Sequence, residues 1–379
     1  MQIVNDKSQC CGCTACVNSC PLEHKAIKMS FDEEGFLYPV IDENKCIDCH
    51  ACINACFYHT GKMSVNRVSR GIDSYAIITK DKELLNKSQS GGAFGEIARY
   101  VLNNNGVVYG AAITKNGVVK HQRVTDIKEL YKLHGSKYVQ SQMNENFSAV
   151  KNDLQSDRWV LFSGTPCQVM GLKKYLKKSY SKLVLVDIIC YGVPSPKLWE
   201  KFLESYILKN VNKLRRIIFR DKSFGWNVCK TVIEFGDEKV VTDAWTKLWG
   251  AGNALRPSCY QCKFSNLERP GDLTVGDCWG IDKVYPELET KKGVSLLLVN
   301  TEMGVGIFNK LKNSVECHDV NIDLVMQPRL LEPTKRPKTR ERFWHDFREM
   351  DFNKFIYKYT KSTIREIIKE WVAKFIKFK

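Results

Sequence analysis

The sequence has no long hydrophobic run. Its most apolar stretches, LVLVDII (183 to 189) and SLLLV (295 to 299), fall well short of the ~18 residues that span a bilayer. The opening MQIVNDKSQC shows no basic stretch followed by an apolar one, so no secretory leader is expected. The expected location is the reducing cytoplasm, with peripheral contact at the inner face of the membrane as an option raised by the C-terminus. No G-x-G-x-x-G or P-loop fingerprint is present. Cysteine, at 16 of 379 residues, is about half as dense as in a small disulfide scaffold. Nine of the 16 lie within the first 56 positions, and clustered thiols in a reducing compartment point to metal or redox chemistry. A hydrophobic content of 44% excludes a wholly disordered chain and allows two or three domains.

The net charge of +16 is unevenly spread. Residues 1 to 66 carry five Lys against eight acids, a net of −3, whereas residues 329 to 379 carry fifteen Lys or Arg against seven acids, a net of +8. The remaining +11 belongs to residues 67 to 328. Basic charge without a recognisable nucleic-acid module does not support specific nucleic-acid binding.

Cys10, Cys13, Cys16 and Cys20 follow the spacing C-x2-C-x2-C-x3-C, and Cys46, Cys49, Cys52 and Cys56 repeat it 36 residues later. In this pattern three closely spaced thiolates converge on one [4Fe-4S] cubane and the fourth reaches the neighbouring one. Cys10, Cys13, Cys16 and Cys56 are thus the expected ligands of one cluster, and Cys46, Cys49, Cys52 and Cys20 of the other. The run resembles a bacterial two-cluster ferredoxin domain. Zinc knuckles also use CxxC pairs but do not need two interleaved groups of four. Phe57 stands where a second proline would be expected, Cys11 is read as a bystander thiol, and His50 as a partly exposed polar neighbour.

Beyond the Gly, Ser and Thr residues between 60 and 71, the texture becomes alternating strand and helix. SYAII (74 to 78), VVYGAAI (107 to 113), WVLFSG (159 to 164) and LVLVDII read as strands. AFGEIARYVLNNNG (93 to 106), VMGLKKYLKK and PKLWEKFLESYIL read as helices, and Asn116-Gly117 as a hairpin turn. RRIIFR, TVIEF and VSLLLVN point to a mixed sheet. Gly and hydroxyl groups cluster at Lys87 to Gly92, Gly135 to Tyr138 and Ser163 to Gln168, where helix starts either cradle phosphate or serve as ordinary turns and caps. Of the later cysteines, Cys167 and Cys190 each follow a predicted buried strand, at the carboxyl edge where α/β sheets place their sites. Cys259 and Cys262 form the one close pair, and by spacing alone the four suit a third cluster, a zinc site or unpaired core cysteines. Cys229 and Cys317 read as core residues.

With the ferredoxin repeat, the segments KSQSGG (87 to 92), GSKYVQS (135 to 141), SGTPCQ (163 to 168), CYGVPSP (190 to 196), FRDKSFGW (219 to 226), RPSCYQC (256 to 262) and DLTVGDCWGI (272 to 281) make residues 1 to about 300 resemble the coenzyme F420 hydrogenase/dehydrogenase beta-subunit family. The resemblance implies an iron-sulfur flavoprotein oxidoreductase. Its expected parts are FAD in a mixed-sheet α/β domain, deazaflavin coenzyme F420 or another two-electron carrier as substrate, and [4Fe-4S] clusters relaying single electrons. It favours Cys167, Cys190, Cys259 and Cys262 as ligands of a third cluster and leaves Cys278 out. Candidate flavin contacts are Ser88, Ser90, Gly91, Gly92, Ser136, Lys137 and Thr165. No catalytic acid or base is assigned, since Lys137, Tyr138 and Arg220 suit structural roles equally well.

The expected architecture is a ferredoxin domain over 1 to 66, a flavin-binding α/β domain over 67 to 328, and a basic linker with an amphipathic helix over 329 to 379. In that tail Ile364, Ile367, Ile368, Trp371, Val372, Phe375 and Ile376 draw one apolar stripe among lysines. Such a helix suits docking on its own domain or a partner, or an anionic membrane surface. The expected partner is ferredoxin or another enzyme subunit. The alternative function is a non-catalytic ferredoxin-like relay subunit of a larger enzyme, linked in bacteria to polysaccharide biosynthesis.

Overall fold

The computed structural model describes residues 3 to 61, 72 to 207 and 214 to 361. The expected boundary at 66/67 and the apolar stripe from Ile364 to Ile376 lie outside the described residues.

The N-terminal unit is small: three short helices, Ala15–Ser19, Ala51–Asn54 and Phe57–Thr60, and a hairpin of β1 (Ile27–Phe31) and β2 (Leu37–Ile41). Next come β3 (Asp73–Thr79), β4 (Val107–Ile113), β5 (Val119–Val124), β6 (Val160–Gly164) and β7 (Leu183–Ile188). These strands join β11 (Leu273–Asp277), β12 (Ser295–Val299) and β13 (Val315–Asp319) in an eight-stranded mixed sheet of order β13-β3-β12-β11-β7-β6-β4-β5. The pairs β4/β6, β6/β7 and β7/β11 are parallel, and the others antiparallel. The parallel centre is where the apolar runs fall, because helices cover both of its faces and every side chain must be buried.

On one face, Ile97, Ala98, Val101 and Leu102 of the helix Ala93–Asn103 pack beside Ile307, Phe308 and Leu311 of the helix Glu302–Leu311. On the other, the helices Asn146–Gln155 and Pro166–Leu176 bury Phe147, Val150, Val169 and Leu172. Ala15 and Ala55 of the N-terminal unit enter this second cluster, so the cysteine repeat docks directly on the sheet's helical cover.

RRIIFR and TVIEF do not join the large sheet. They form β8 (Leu214–Ile218) and β9 (Thr231–Phe235), which with β10 (Glu238–Thr242) make a separate antiparallel sheet of order β10-β9-β8. The reason is visible in β8, where Arg215 and Arg216 are exposed, a pattern suited to an edge strand. Part of the stretch expected as basic linker and tail is folded. The helices Arg340–Glu349 and Phe352–Thr360 bury Phe343, Trp344, Phe347 and Phe355 in one cluster with Phe36, Trp199 and Trp245. Their aromatic content makes burial more favourable than exposure, at roughly 25 cal/mol per Å².

Candidate functional site

The duplication is written into the backbone. Gly12 (φ 70°) and Asp48 (φ 49°) are left-handed, as are Thr14 (φ 63°) and His50 (φ 58°), at the same 36-residue offset as the cysteines. Non-glycine residues rarely adopt this conformation; here it coils each C-x2-C-x2-C loop so that its thiols face one space. The Cys16 thiol lies within electrostatic reach of Cys13, Cys10 and Cys56. The other set, Cys46, Cys49 and Cys52, lines a cavity with Cys20, Pro21 and His50. The fourth cysteine of each motif therefore joins the other motif's group. Burial pushes the Cys10 and Cys16 thiols up and Cys56 up to about 11, so stable thiolates there call for a cation to take their charge. That donor set fits a cubane. The groups differ in exposure: Cys16 is buried, Cys49 open to solvent.

A third thiol group forms at the carboxyl edge of the large sheet. Cys167 opens the helix after β6 and Cys190 follows β7. Cys259 sits in the 3-10 helix Pro257–Gln261, with Cys262 at its end. The Cys190 thiol is raised by burial and then by the neighbouring charges of Cys259, Cys167 and Cys262, which places all four together. Val193 N donates to Cys259 Sγ (3.5 Å), and Thr165 Oγ1 lies 3.2 Å from Cys167 Sγ. Beneath them the buried pair Arg269 and Asp187 (2.5 Å) holds the ends of β7 and β11, as Asp187 also accepts from Gly271 N (2.8 Å) and Thr274 Oγ1 (3.0 Å).

Cys11, set aside from its sequence context, connects the groups. Its thiol lies close to those of both Cys13 and Cys167, while Gly171 of the helix Pro166–Leu176 lies against Cys13. The extended backbone at Cys10 turns the neighbouring side chains to opposite sides, which adjacency in the sequence does not show.

The candidate flavin residues fall into two places. Ser88 to Gly92 and Ser136 to Lys137 meet through Gln89, whose side chain accepts from Ser136 N (3.4 Å) and donates to the Arg220 carbonyl (3.1 Å). Thr165 instead caps the helix beginning at Pro166, next to the third thiol group. Ser90 Oγ donates to the Val294 carbonyl (2.7 Å), and a side chain at Gly91 would lie 2.0 Å from the Ile77 carbonyl, so both serve close packing of backbone on backbone. Gly92, Ser136 and Lys137 lie on the segments that carry the basic groups. Lys137 Nζ donates to the His134 carbonyl (2.8 Å) and Lys222 Nζ to those of Leu85 and Ser90 (2.8 Å each). Burial lowers the Lys137 ammonium to about 7 and the Lys222 ammonium to about 8. Neither has a carboxylate partner among the described residues, and both ring nitrogens of His134 and the Arg220 Nε are buried without hydrogen-bond partners. The Lys222 ammonium is matched by three carbonyls, those of Leu85, Ser90 and Lys292, so the groups left to fit an anionic phosphate are Lys137, the His134 ring and Arg220 Nε. Arg220, held by Asp277 (2.8 and 2.9 Å), lies 5.5 Å from the Trp279 ring, which stacks on Trp226 (4.6 Å). Sequence reasoning missed these two tryptophans, since 53 residues separate them in the chain.

Comparison with known proteins assigns the class and then the family. Residues 9–60 match the 4Fe-4S dicluster domain. Residues 74–147 and 157–323 match the N-terminal and C-terminal models of the coenzyme F420 hydrogenase/dehydrogenase beta subunit. The chain belongs to the coenzyme F420 hydrogenase/dehydrogenase beta-subunit family, with an iron-sulfur dicluster domain at its head. Among solved structures, the F420-reducing [NiFe] hydrogenase complex from Methanosarcina barkeri matches with a TM-score of 0.49 and 17% identity, over 70% of this chain and 88% of that one. No curated protein matches. No helix among the described residues is long and apolar enough to cross a membrane.

Proposed function

We propose that the protein is an iron-sulfur flavoprotein oxidoreductase. It passes electrons between a two-electron carrier, either deazaflavin coenzyme F420 or a substrate, and a one-electron carrier such as ferredoxin or a partner subunit. The observation that carries this reading is the line of thiols from the N-terminal repeat through Cys13, Cys11 and Cys167 into the carboxyl edge of the large sheet. When bound, FAD and [4Fe-4S] clusters supply conversion between paired and single electrons and their conduction. The chain's own residues hold and orient. Cys10, Cys13, Cys16 and Cys56 form the first ligand set, Cys20, Cys46, Cys49 and Cys52 the second, and Cys167, Cys190, Cys259 and Cys262 the third. Lys137 and His134 offer donors to a flavin phosphate and Lys222 its positive charge, and the Arg220 and Asp277 pair with Trp279 presents a charged, stacked wall to a planar ring.

Anaerobic purification with iron and sulfide quantification and flavin extraction tests this. About twelve iron atoms and one FAD per chain are expected. About eight iron atoms would remove the third cluster, and no extractable flavin would leave the non-catalytic relay reading in its place.

A further inference from the structure

Four arginines are buried among the described residues: Arg220, Arg256, Arg269 and Arg340. Three are neutralised by a carboxylate, Arg220 by Asp277, Arg269 by Asp187 and Arg340 by Glu34. Arg256 is 0% exposed and has no carboxylate partner. Its guanidinium donates to the carbonyls of Cys10 (2.6 Å) and Leu37 (3.0 Å) and to Gln140 Oε1 (3.1 Å), and lies against the Tyr38 ring (4.1 Å). A further N–H reaches Cys10 Sγ at 3.5 Å. A side chain at position 12 would lie 3.0 Å from Arg256 Nη1, so the left-handed Gly12 is what admits the guanidinium to the first cysteine loop.

A lone buried charge costs several kcal/mol unless matched. Among the described residues no carboxylate pairs with Arg256; the ionisable groups that act on it are the Cys10, Cys11 and Cys259 thiols and the Tyr38 phenol, which burial keeps protonated. Its backbone belongs to the third group's loop, with Arg256 N bonded to the Val193 carbonyl and Pro257 opening the helix of Cys259, while its side chain ends at the first group. An oxidised cubane with four thiolates carries roughly −2 and gains a further negative charge on reduction. A fixed cation and an N–H to a ligand sulfur favour the more negative state, opposing the burial that would otherwise disfavour it.

We propose that Arg256 is the resident counter-charge of the first cluster, making it easier to reduce than its burial alone would allow and coupling it electrostatically to the third thiol group. This rests on Cys10, Cys13, Cys16 and Cys56 holding a cluster. The test is a potentiometric titration of the full-length holoprotein followed by electron paramagnetic resonance, with the first cluster's signal assigned as the one altered in Cys13→Ser, whose hydroxyl can still ligate iron and so keeps the cluster in place. Arg256→Met is expected to lower the first cluster's reduction equilibrium at least tenfold, 59 mV for one electron. The solvent-facing second cluster should stay unshifted. Arg256→Lys, which keeps the charge and loses the planar fork, is expected to shift in the same direction by less. A change below twofold in Arg256→Met, or equal shifts in both N-terminal clusters, would overturn the proposal. So would failure of both variants to hold the first cluster, because Arg256 would then be a folding element. Absence of the first cluster's signal from the unaltered protein would overturn the relay reading itself and this inference with it.

Discussion

The N-terminal repeat and the carboxyl edge of the central sheet both gather thiols, by opposite means. In the repeat, three ligands of each group lie within seven consecutive residues, and paired left-handed residues coil them inward. Little else is needed, and the surrounding core is thin: Ile3, Ile27, Cys16 and Cys52 form its own small cluster. At the sheet edge the thiols come from positions 167, 190, 259 and 262, and what brings them together is the parallel register of β6, β7 and β11 with the Arg269 and Asp187 pair beneath. The first site is local and depends on its metal for order; the second is scaffolded and is expected to persist without one.

Removing a ligand from each site puts that contrast under the largest strain. Cys16→Ala is expected to release both N-terminal clusters, because a unit this small has little else to order it, leaving about four iron atoms per chain. Cys190→Ala should release only the third, leaving about eight. Iron quantification on anaerobically purified variants checks both, and near-native far-UV circular dichroism is expected only for Cys190→Ala. Equal losses would erase the distinction.

Breaking the scaffold is the next largest effect. Arg269→Met leaves the fully buried Asp187 carboxylate without its cation and is expected to cost ~3–5 kcal/mol in denaturant unfolding. The iron of the repeat should survive below the transition. A cost under ~1 kcal/mol would mean that the pair does not hold the edge.

The smallest effect sharpens the difference between the thiols and the basic groups around Gln89. Lys137→Met is expected to weaken FAD binding about tenfold, ~1.4 kcal/mol, without changing iron content. Burial lowers Lys137 to about 7, so in the free protein it is charged below that pH and neutral above it. Anion affinity should therefore be full below about 7 and decline as pH rises past it, with a second decline above about 8 from Lys222. His134, lowered by burial to about 4, stays neutral through that range. FAD titrations across pH on the two proteins would separate these steps, and an unchanged first decline in Lys137→Met would remove Lys137 from the groups that bind the anion.

Much of this was legible before any coordinates. The ferredoxin repeat was, because its ligands are neighbours in the chain and their spacing is the geometry. The strands β6 and β7 were, because burial on both faces leaves continuous apolar runs. The place of Cys11 between two thiol groups is not legible, because adjacency to a ligand does not tell which way a thiol points. Thr165 was grouped with the phosphate candidates because a capping hydroxyl and an anion-binding one look alike in sequence.

By itself, the sequence determined the donor types and the family: which thiols come in fours, where the sheet would lie, and that charge is acidic at the head and basic beyond it. Only the tertiary structure decided which groups meet. It brought Cys11 between two thiol sets, left Arg256 as a buried cation against the Cys10 thiol with no carboxylate among the described residues, and stacked Trp226 on Trp279. The physical reason is range. Spacing governs contacts within a turn or two, whereas burial without a partner is a property of the packed molecule, created when distant segments close around the same charge.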